Sequence, residues 1–193
     1  MLHVGTQAFA TRRLVCRRFV PEDLAAMHRN WAADPLVQRE YGEPAYPRPE
    51  DVRGLLQGYL RAYERPDVYR WAVALRESGE NIGQIAFCRV YSELRAAEIE
   101  YCIGRAFQGR GYASEALEGL LRFAFTATEF VRLEAYHRAE NIASGRVLQR
   151  SAMRPAPSVE RFRREGRTPE GERCYCVLRE QFAPDETGAI RPG

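Results

Sequence analysis

The stretch Gln108-Gly109-Arg110-Gly111-Tyr112-Ala113 lies between Glu98-Ile99-Glu100-Tyr101-Cys102-Ile103, a run with strand character, and Ser114 to Thr126, a run with helical spacing. The first run favours β structure and partly alternates. In the second, apolar residues recur at Ala116, Leu117, Leu120, Leu121, Ala124 and Phe125, which places them on one face of a helix. A glycine-bearing turn that opens a helix presents unpaired backbone N–H groups at the positive end of the helix dipole. That geometry suits a phosphate or pyrophosphate. The same turn also serves as an ordinary strand-to-helix connection, so the spacing has to decide. A P-loop would end in Gly-Lys-Ser or Gly-Lys-Thr, and a dinucleotide fingerprint needs three glycines followed by an acid after the next strand. Neither pattern is present.

The 193 residues suit a single domain, 1–193, with enough length for a sizeable core. Hydrophobic content of 45% and a formal net charge of +3 describe an ordinary globular chain, and no basic run argues for a nucleic-acid tail. The cluster Arg161, Arg163, Arg164, Arg167 is interrupted by Phe162, Glu165 and Gly166 and reads as a solvated hairpin. Five cysteines, with Cys174 and Cys176 on one face of a strand and Cys16, Cys88 and Cys102 inside apolar runs, read as buried free thiols in a reducing cytosol. With three histidines and no ligand spacing, no metal site is expected. The apolar stretch at the N-terminus is too short for a signal peptide or a membrane span, so a cytoplasmic protein is expected.

Along the chain, Leu14 to Val20 alternates as a first strand. Pro21-Glu22-Asp23 opens a helix with Leu24, Met27 and Trp31 on its apolar face, and Asp34-Pro35 breaks it. Glu40 to Pro49 reads as a loop, and Pro49-Glu50-Asp51 starts a second helix that turns Val52, Leu55, Leu56, Tyr59, Leu60 and Tyr63 inward. Gly54 and Gly58 weaken that helix by roughly 1 kcal/mol each relative to alanine, so packing must hold it. Tyr69–Leu75 and Ile82–Val90 form strands, and a turn through Leu94-Arg95-Ala96 leads into the strand ending at Ile103. After the central helix come a strand at Val131–Tyr136 and a short helix capped by Asn141. A hairpin of Val159–Phe162 and Tyr175–Leu178 follows, with a flexible tail at 183–193 and the ordered core at about 11–182. The pattern is one mixed α/β (α+β) domain.

Gln108, Gly111 and Ala113 fill the specified positions of Gln/Arg-x-x-Gly-x-Gly/Ala, and the segment resembles motif A of the GNAT superfamily of N-acetyltransferases. Three further segments resemble the RimJ/RimL, ribosomal-protein N-terminal acetyltransferase, branch. These are Thr11 to Phe19, Ala97 to Tyr101, and Asn141-Ile142-Ala143-Ser144-Gly145-Arg146-Val147-Leu148. The resemblance covers nearly the whole chain. It implies the GNAT acyl-CoA N-acyltransferase fold, a mostly antiparallel twisted sheet splayed at a cofactor cleft and flanked by helices. It also implies acetyl-CoA as co-substrate and an amine acceptor, either a small molecule or a protein N-terminus. No nucleic-acid or membrane partner is implied, and a homodimer is compatible.

In that family the pantetheine amides pair with exposed strand backbone, here Tyr101, Cys102 and Ile103, as an added strand would. The pyrophosphate sits on the turn Gln108, Gly109, Arg110, Gly111, Tyr112, Ala113, with Arg110 adding charge. Asn141 holds the pantetheine arm with Ser144 and Arg146 nearby, or is a plain helix cap. Glu98 occupies the position of a general base and Glu100 shares its face of the strand; the alternative is that both carboxylates pair with arginines. His137 is a further candidate base. Where many relatives carry a tyrosine that protonates the leaving thiolate, this chain has Leu148, so either Tyr136 or Ser144 substitutes or the CoA thiolate leaves without an acid. Trp31, Tyr41, Glu43 and Tyr46 are candidates for the acceptor mouth. A non-catalytic acyl-CoA sensor is the competing reading.

Overall fold

The computed structural model describes residues 1–156 and 171–182. The expected strand Val159–Phe162, the arginine cluster of Arg161, Arg163, Arg164 and Arg167, and the tail 183–193 lie outside the described residues. Strand β1 (Phe9–Ala10) and β2 (Leu14–Arg17) open the chain as an antiparallel pair. The sheet thus begins before residue 11, where the sequence had placed the start of order. Phe9 explains this: it is buried and packs on Trp71 and Phe123.

A 3-10 turn at Pro21–Asp23 runs into helix α1 (Leu24–Met27) and then a π turn at His28–Ala32. Proline at the first position and the acids Glu22 and Asp23 favour this start, and Asp23 is held by Arg17 at 2.8 Å. Asp34-Pro35 does end that helix, but it also begins another, α2 (Pro35–Tyr41), which the sequence reading left unassigned and which runs into the expected loop at Glu40 and Tyr41. The Asp34 carboxylate accepts from the amides of Leu36 and Val37, and Pro35 sits where its missing N–H costs nothing. Helix α3 (Pro49–Ala62) follows, burying Val52 and Leu56.

Strands β3 (Arg70–Leu75), β4 (Asn81–Tyr91) and β5 (Ala96–Ile103) form an antiparallel meander. Helix α4 (Tyr112–Ala127) crosses over to β6 (Arg132–Arg138), and α5 (Ile142–Gln149), β7 (Arg154–Ala156) and β8 (Glu172–Leu178) complete the described chain. The open sheet runs β1-β2-β3-β4-β5-β6-β8-β7, and β5–β6 alone among these neighbours is parallel. On one face α4 packs Leu117, Leu120 and Leu121 against Trp71, Ile85 and Ile99. On the other, α1, the π turn, α2 and α3 pack Met27, Trp31, Val37, Val52 and Leu56 against Ala72 and Cys102.

Neither Gly54 nor Gly58 of α3 has a neighbour within 4 Å of where a Cβ would stand, so packing does not require glycine at either position. Gly54→Ala and Gly58→Ala are each expected to stabilise the protein by about 0.5–1 kcal/mol by restricting the unfolded chain. A rise in Tm checks this; a fall would contradict the helix.

Candidate functional site

The parallel ladder between β5 and β6 is short: Ala96, Ala97, Glu98 and Ile99 pair with Arg132, Leu133, Glu134 and Ala135, and then the strands part. Between Glu100–Ile103 and Tyr136–Arg138 a cleft of about 790 Å³ opens. Beyond Ile99 its edge on β5 has no partner strand. Gly104 donates its amide toward β4, to the Ile82 carbonyl at 2.8 Å, while the Ile103 carbonyl accepts instead from the Gln108 side chain at 2.8 Å. Peptide groups alternate along a strand, so Tyr101 and Ile103 present their N–H and C=O to the cleft and Cys102 turns its own toward β4.

At the mouth stands the turn expected to take a phosphate. Gly109 and Gly111 both adopt positive φ, 74° and 81°, and Gly111 is the N-cap of α4 with no side-chain cap. The first-turn amides of α4 are therefore left for a ligand or water. Gln108 acts through its bond to Ile103, which fixes the turn to the end of β5. Arg110 is exposed, and its carbonyl accepts from Arg13 Nη1 at 2.9 Å. Arg13 also pairs with Glu115 at 2.6 Å and lies over the Tyr112 ring at 4.5 Å. Burial alone would raise the Glu115 carboxyl, but hydrogen bonds from Thr11 and Arg13 outweigh it and hold it below its usual range. Sequence reading missed Arg13 and Glu115 as partners of the turn.

Helix α5 forms the opposite wall. Asn141 caps it by accepting from the Ser144 amide at 3.0 Å, so its capping role is realised and it also lines the cleft. Ser144 Oγ lies 2.9 Å from the Tyr101 hydroxyl, a bridge between the two walls, and burial pushes the Tyr101 phenol up to about 12. Arg146 faces the cleft, whereas Leu148 is fully buried and brings no proton donor there. His137 belongs to β6 rather than to a loop beyond it. Its Nδ1–H donates to the Arg138 carbonyl at 2.8 Å, and its ring packs so closely that a Cβ on Gly145 would stand 2.9 Å from Cε1. His137 nonetheless lines the cleft, and its Nε2 is buried without a hydrogen-bond partner among the described residues.

Both acids on β5 have arginine partners. Glu98 pairs with Arg89 at 3.1 Å, and that arginine side chain is 60% exposed. Glu100 pairs with Arg70 at 2.9 Å within a largely buried network that includes the Tyr41 hydroxyl and Gln84. Burial and the Glu100 charge keep the Tyr41 phenol well above its usual range. Opposite Glu98, the buried Glu134 binds Arg132 at 2.7 Å and the Tyr136 hydroxyl. Burial, with Cys174 and Glu134 nearby, raises the Tyr136 phenol.

Of the expected mouth residues, Tyr41 does line the cleft. Trp31 does not: it is fully buried, and its indole donates to Asn81 at 2.7 Å. Glu43 and Tyr46 stand outside the cleft lining. Cys88 corrects the expectation of buried thiols. The β4–β5 register shifts beside it, between Phe87 and Arg89, and turns it out to the cleft.

A family model described as the acetyltransferase (GNAT) domain matches residues 13–154. The chain belongs to the GNAT acetyltransferase family. This GNAT chain is 26% identical over 169 residues to a Bacillus subtilis (strain 168) protein named as the N-acetyltransferase YoaA, covering 88% of this chain and 95% of the relative. It is 30% identical over 102 residues to the ribosomal-protein-serine acetyltransferase of Escherichia coli (strain K12), covering 53% of this chain and 56% of the relative. The fold superposes on Mycobacterium smegmatis RimJ in complex with CoA-disulfide with a TM-score of 0.73 at 22% identity, covering 94% of this chain and 91% of that one. The GNAT chain is thus an acetyltransferase, and its fold is similar to that of RimJ. Among its described residues no helix is long and apolar enough to cross a membrane.

Proposed function

We propose that the chain moves the acetyl group of acetyl-CoA to a primary amine, a protein N-terminal amine or a small-molecule amine, by direct attack in a ternary complex. One observation carries this reading: the separation of β5 from β6 leaves the Tyr101 and Ile103 backbone edge open beside the uncapped start of α4. The donor set suits the co-substrate. Strand-edge amides match the pantetheine amides, the amides of Gly111, Tyr112 and Ala113 match the pyrophosphate, and Arg146 on α5 and Arg150 at its C-terminal end line the cleft. The relative that acts on a ribosomal-protein serine makes an N-terminal amine a natural acceptor.

When bound, acetyl-CoA supplies the acetyl group as an activated thioester. Glu98 is the better proton acceptor of the two acids, because Glu100 is engaged by Arg70 and Tyr41 whereas the Arg89 partner of Glu98 is largely in solvent. An α-amine near 7.7–8.0 needs little help at neutral pH, while a lysine near 10.4 must give up about 4–5 kcal/mol to be neutral. On the departing side, Ser144 with Tyr101 provides hydroxyl protons, and the raised Tyr101 phenol stays protonated at neutral pH.

The test is calorimetric titration with acetyl-CoA, followed by thiol release with N-terminal peptides and small amines. Binding together with thiol release from at least one amine is expected, faster for α-amines than for lysine side chains at pH 7. Absence of acetyl-CoA binding would overturn the reading.

A further inference from the structure

We infer that Arg13, from the turn just before β2, is a phosphate-binding residue of the acetyl-CoA site. The inference rests on the reading of the cleft given above. Arg13 lies 97 residues before Arg110, yet its guanidinium is held against the Gly109–Tyr112 turn by three fixed contacts. Nε donates to Glu115 at 2.6 Å, Nη1 donates to the Arg110 carbonyl at 2.9 Å, and the plane covers the Tyr112 ring at 4.5 Å.

A guanidinium has five N–H donors in a rigid fork. Nε and Nη1 of Arg13 are committed to these partners. Nη2, which lies between them on the fork, has no acceptor among the described residues and stands 3.4 Å from where a Cβ on Gly111 would be. Gly111 is the residue whose amide opens the proposed pyrophosphate cradle. The uncommitted Nη2 of a half-buried cation, its side chain 34% exposed, therefore lies beside the place where anionic oxygen is expected.

The same contacts solve a second problem of charge. Glu115 sits in the first turn of α4, where an unpaired carboxylate would repel a bound pyrophosphate. Here it accepts from the Thr11 hydroxyl, the Arg13 amide and the Arg13 guanidinium. Arg13 therefore stands between a carboxylate and the incoming phosphate, the arrangement in which planar, doubly directed hydrogen bonding favours arginine over lysine. Pulling the Arg110 carbonyl toward Arg13 also keeps that oxygen from facing an anion.

The experiment compares acetyl-CoA with acetyl-pantetheine, which carries the thioester arm but no pyrophosphate, on wild type and Arg13→Met. Losing a charged hydrogen bond is expected to raise the acetyl-CoA KM by roughly 10- to 100-fold, and the preference for acetyl-CoA over acetyl-pantetheine should shrink by a similar factor. Equal losses with both thioesters would make Arg13 a mere buttress and overturn the assignment, as would no loss with either. Should Arg13→Met fail to fold, phenylglyoxal labelling of wild type mapped by mass spectrometry decides. CoA but not pantetheine should then suppress the adduct at Arg13, and equal labelling with and without CoA overturns the inference. A wild type that binds neither thioester would instead take down the acetyl-transfer reading itself.

Discussion

Gly111→Asp is expected to raise the acetyl-CoA Kd by about three orders of magnitude while the chain still folds. The position has φ of 81°, a conformation aspartate adopts at modest cost, and the space where the Cβ would stand meets only Arg13 Nη2 at 3.4 Å. The fold therefore has room for the side chain, but the anion site does not tolerate its charge. Two like charges about 4 Å apart at an effective dielectric near 20 repel by about 4 kcal/mol. At about 1.4 kcal/mol per tenfold change in affinity, that amounts to about a thousandfold. The new carboxylate would also take up Nη2 of Arg13. Calorimetry beside a melting curve checks the result: an unchanged Kd with an unchanged Tm would mean that the turn is only a strand-to-helix connection.

Glu98→Gln is expected to lower kcat/KM about 10²- to 10³-fold at pH 7 with an acceptor of high pKa, within the usual range for loss of a general base. Acetyl-CoA affinity should hold. The deficit should narrow as pH rises and solvent deprotonates the amine, and it should be smaller for an α-amine than for a lysine side chain. A matched variant guards the interpretation. Glu100→Gln removes the charge facing Arg70 and loosens the bond to Tyr41, so its main effect is expected in Tm, because an arginine left largely buried without its partner is costly. A flat pH dependence in Glu98→Gln, or an equal rate loss in both variants, would remove Glu98 from the role of base.

The fold was legible where the pattern is local and repeated. The apolar spacing in α4 and the strand runs of β3 to β5 marked those elements, and the motif turn stood out by its glycines. Helix α2 was not legible, because Asp34-Pro35 carries the same signal whether a helix stops or starts there. Of the candidate site, the strand edge, the turn and the cap at Asn141 could be placed from spacing and family resemblance. The partners of each group could not. That Arg70 and Tyr41 converge on Glu100, that Arg13 reaches Arg110, and that Tyr101 meets Ser144 all depend on contacts between residues far apart in sequence. Trp31 was misjudged for a related reason: an aromatic ring near a cleft strand reads alike whether it faces the cleft or the core, and Trp31 is fully buried.

The four-residue ladder between β5 and β6 has one more consequence. It is where the meander β1 to β5 meets the group β6, β8 and β7, so the two cleft walls belong to different parts of the sheet. A molecule lodged between them acts as a strut, and mass action makes the protein's resistance to unfolding a function of how much of that molecule is present. At a free concentration one hundred times its Kd, a ligand of the folded state alone adds about 2.7 kcal/mol, a substantial fraction of the marginal stability of a typical domain. The lifetime of the protein in a cell would then rise and fall with the supply of its own acyl donor.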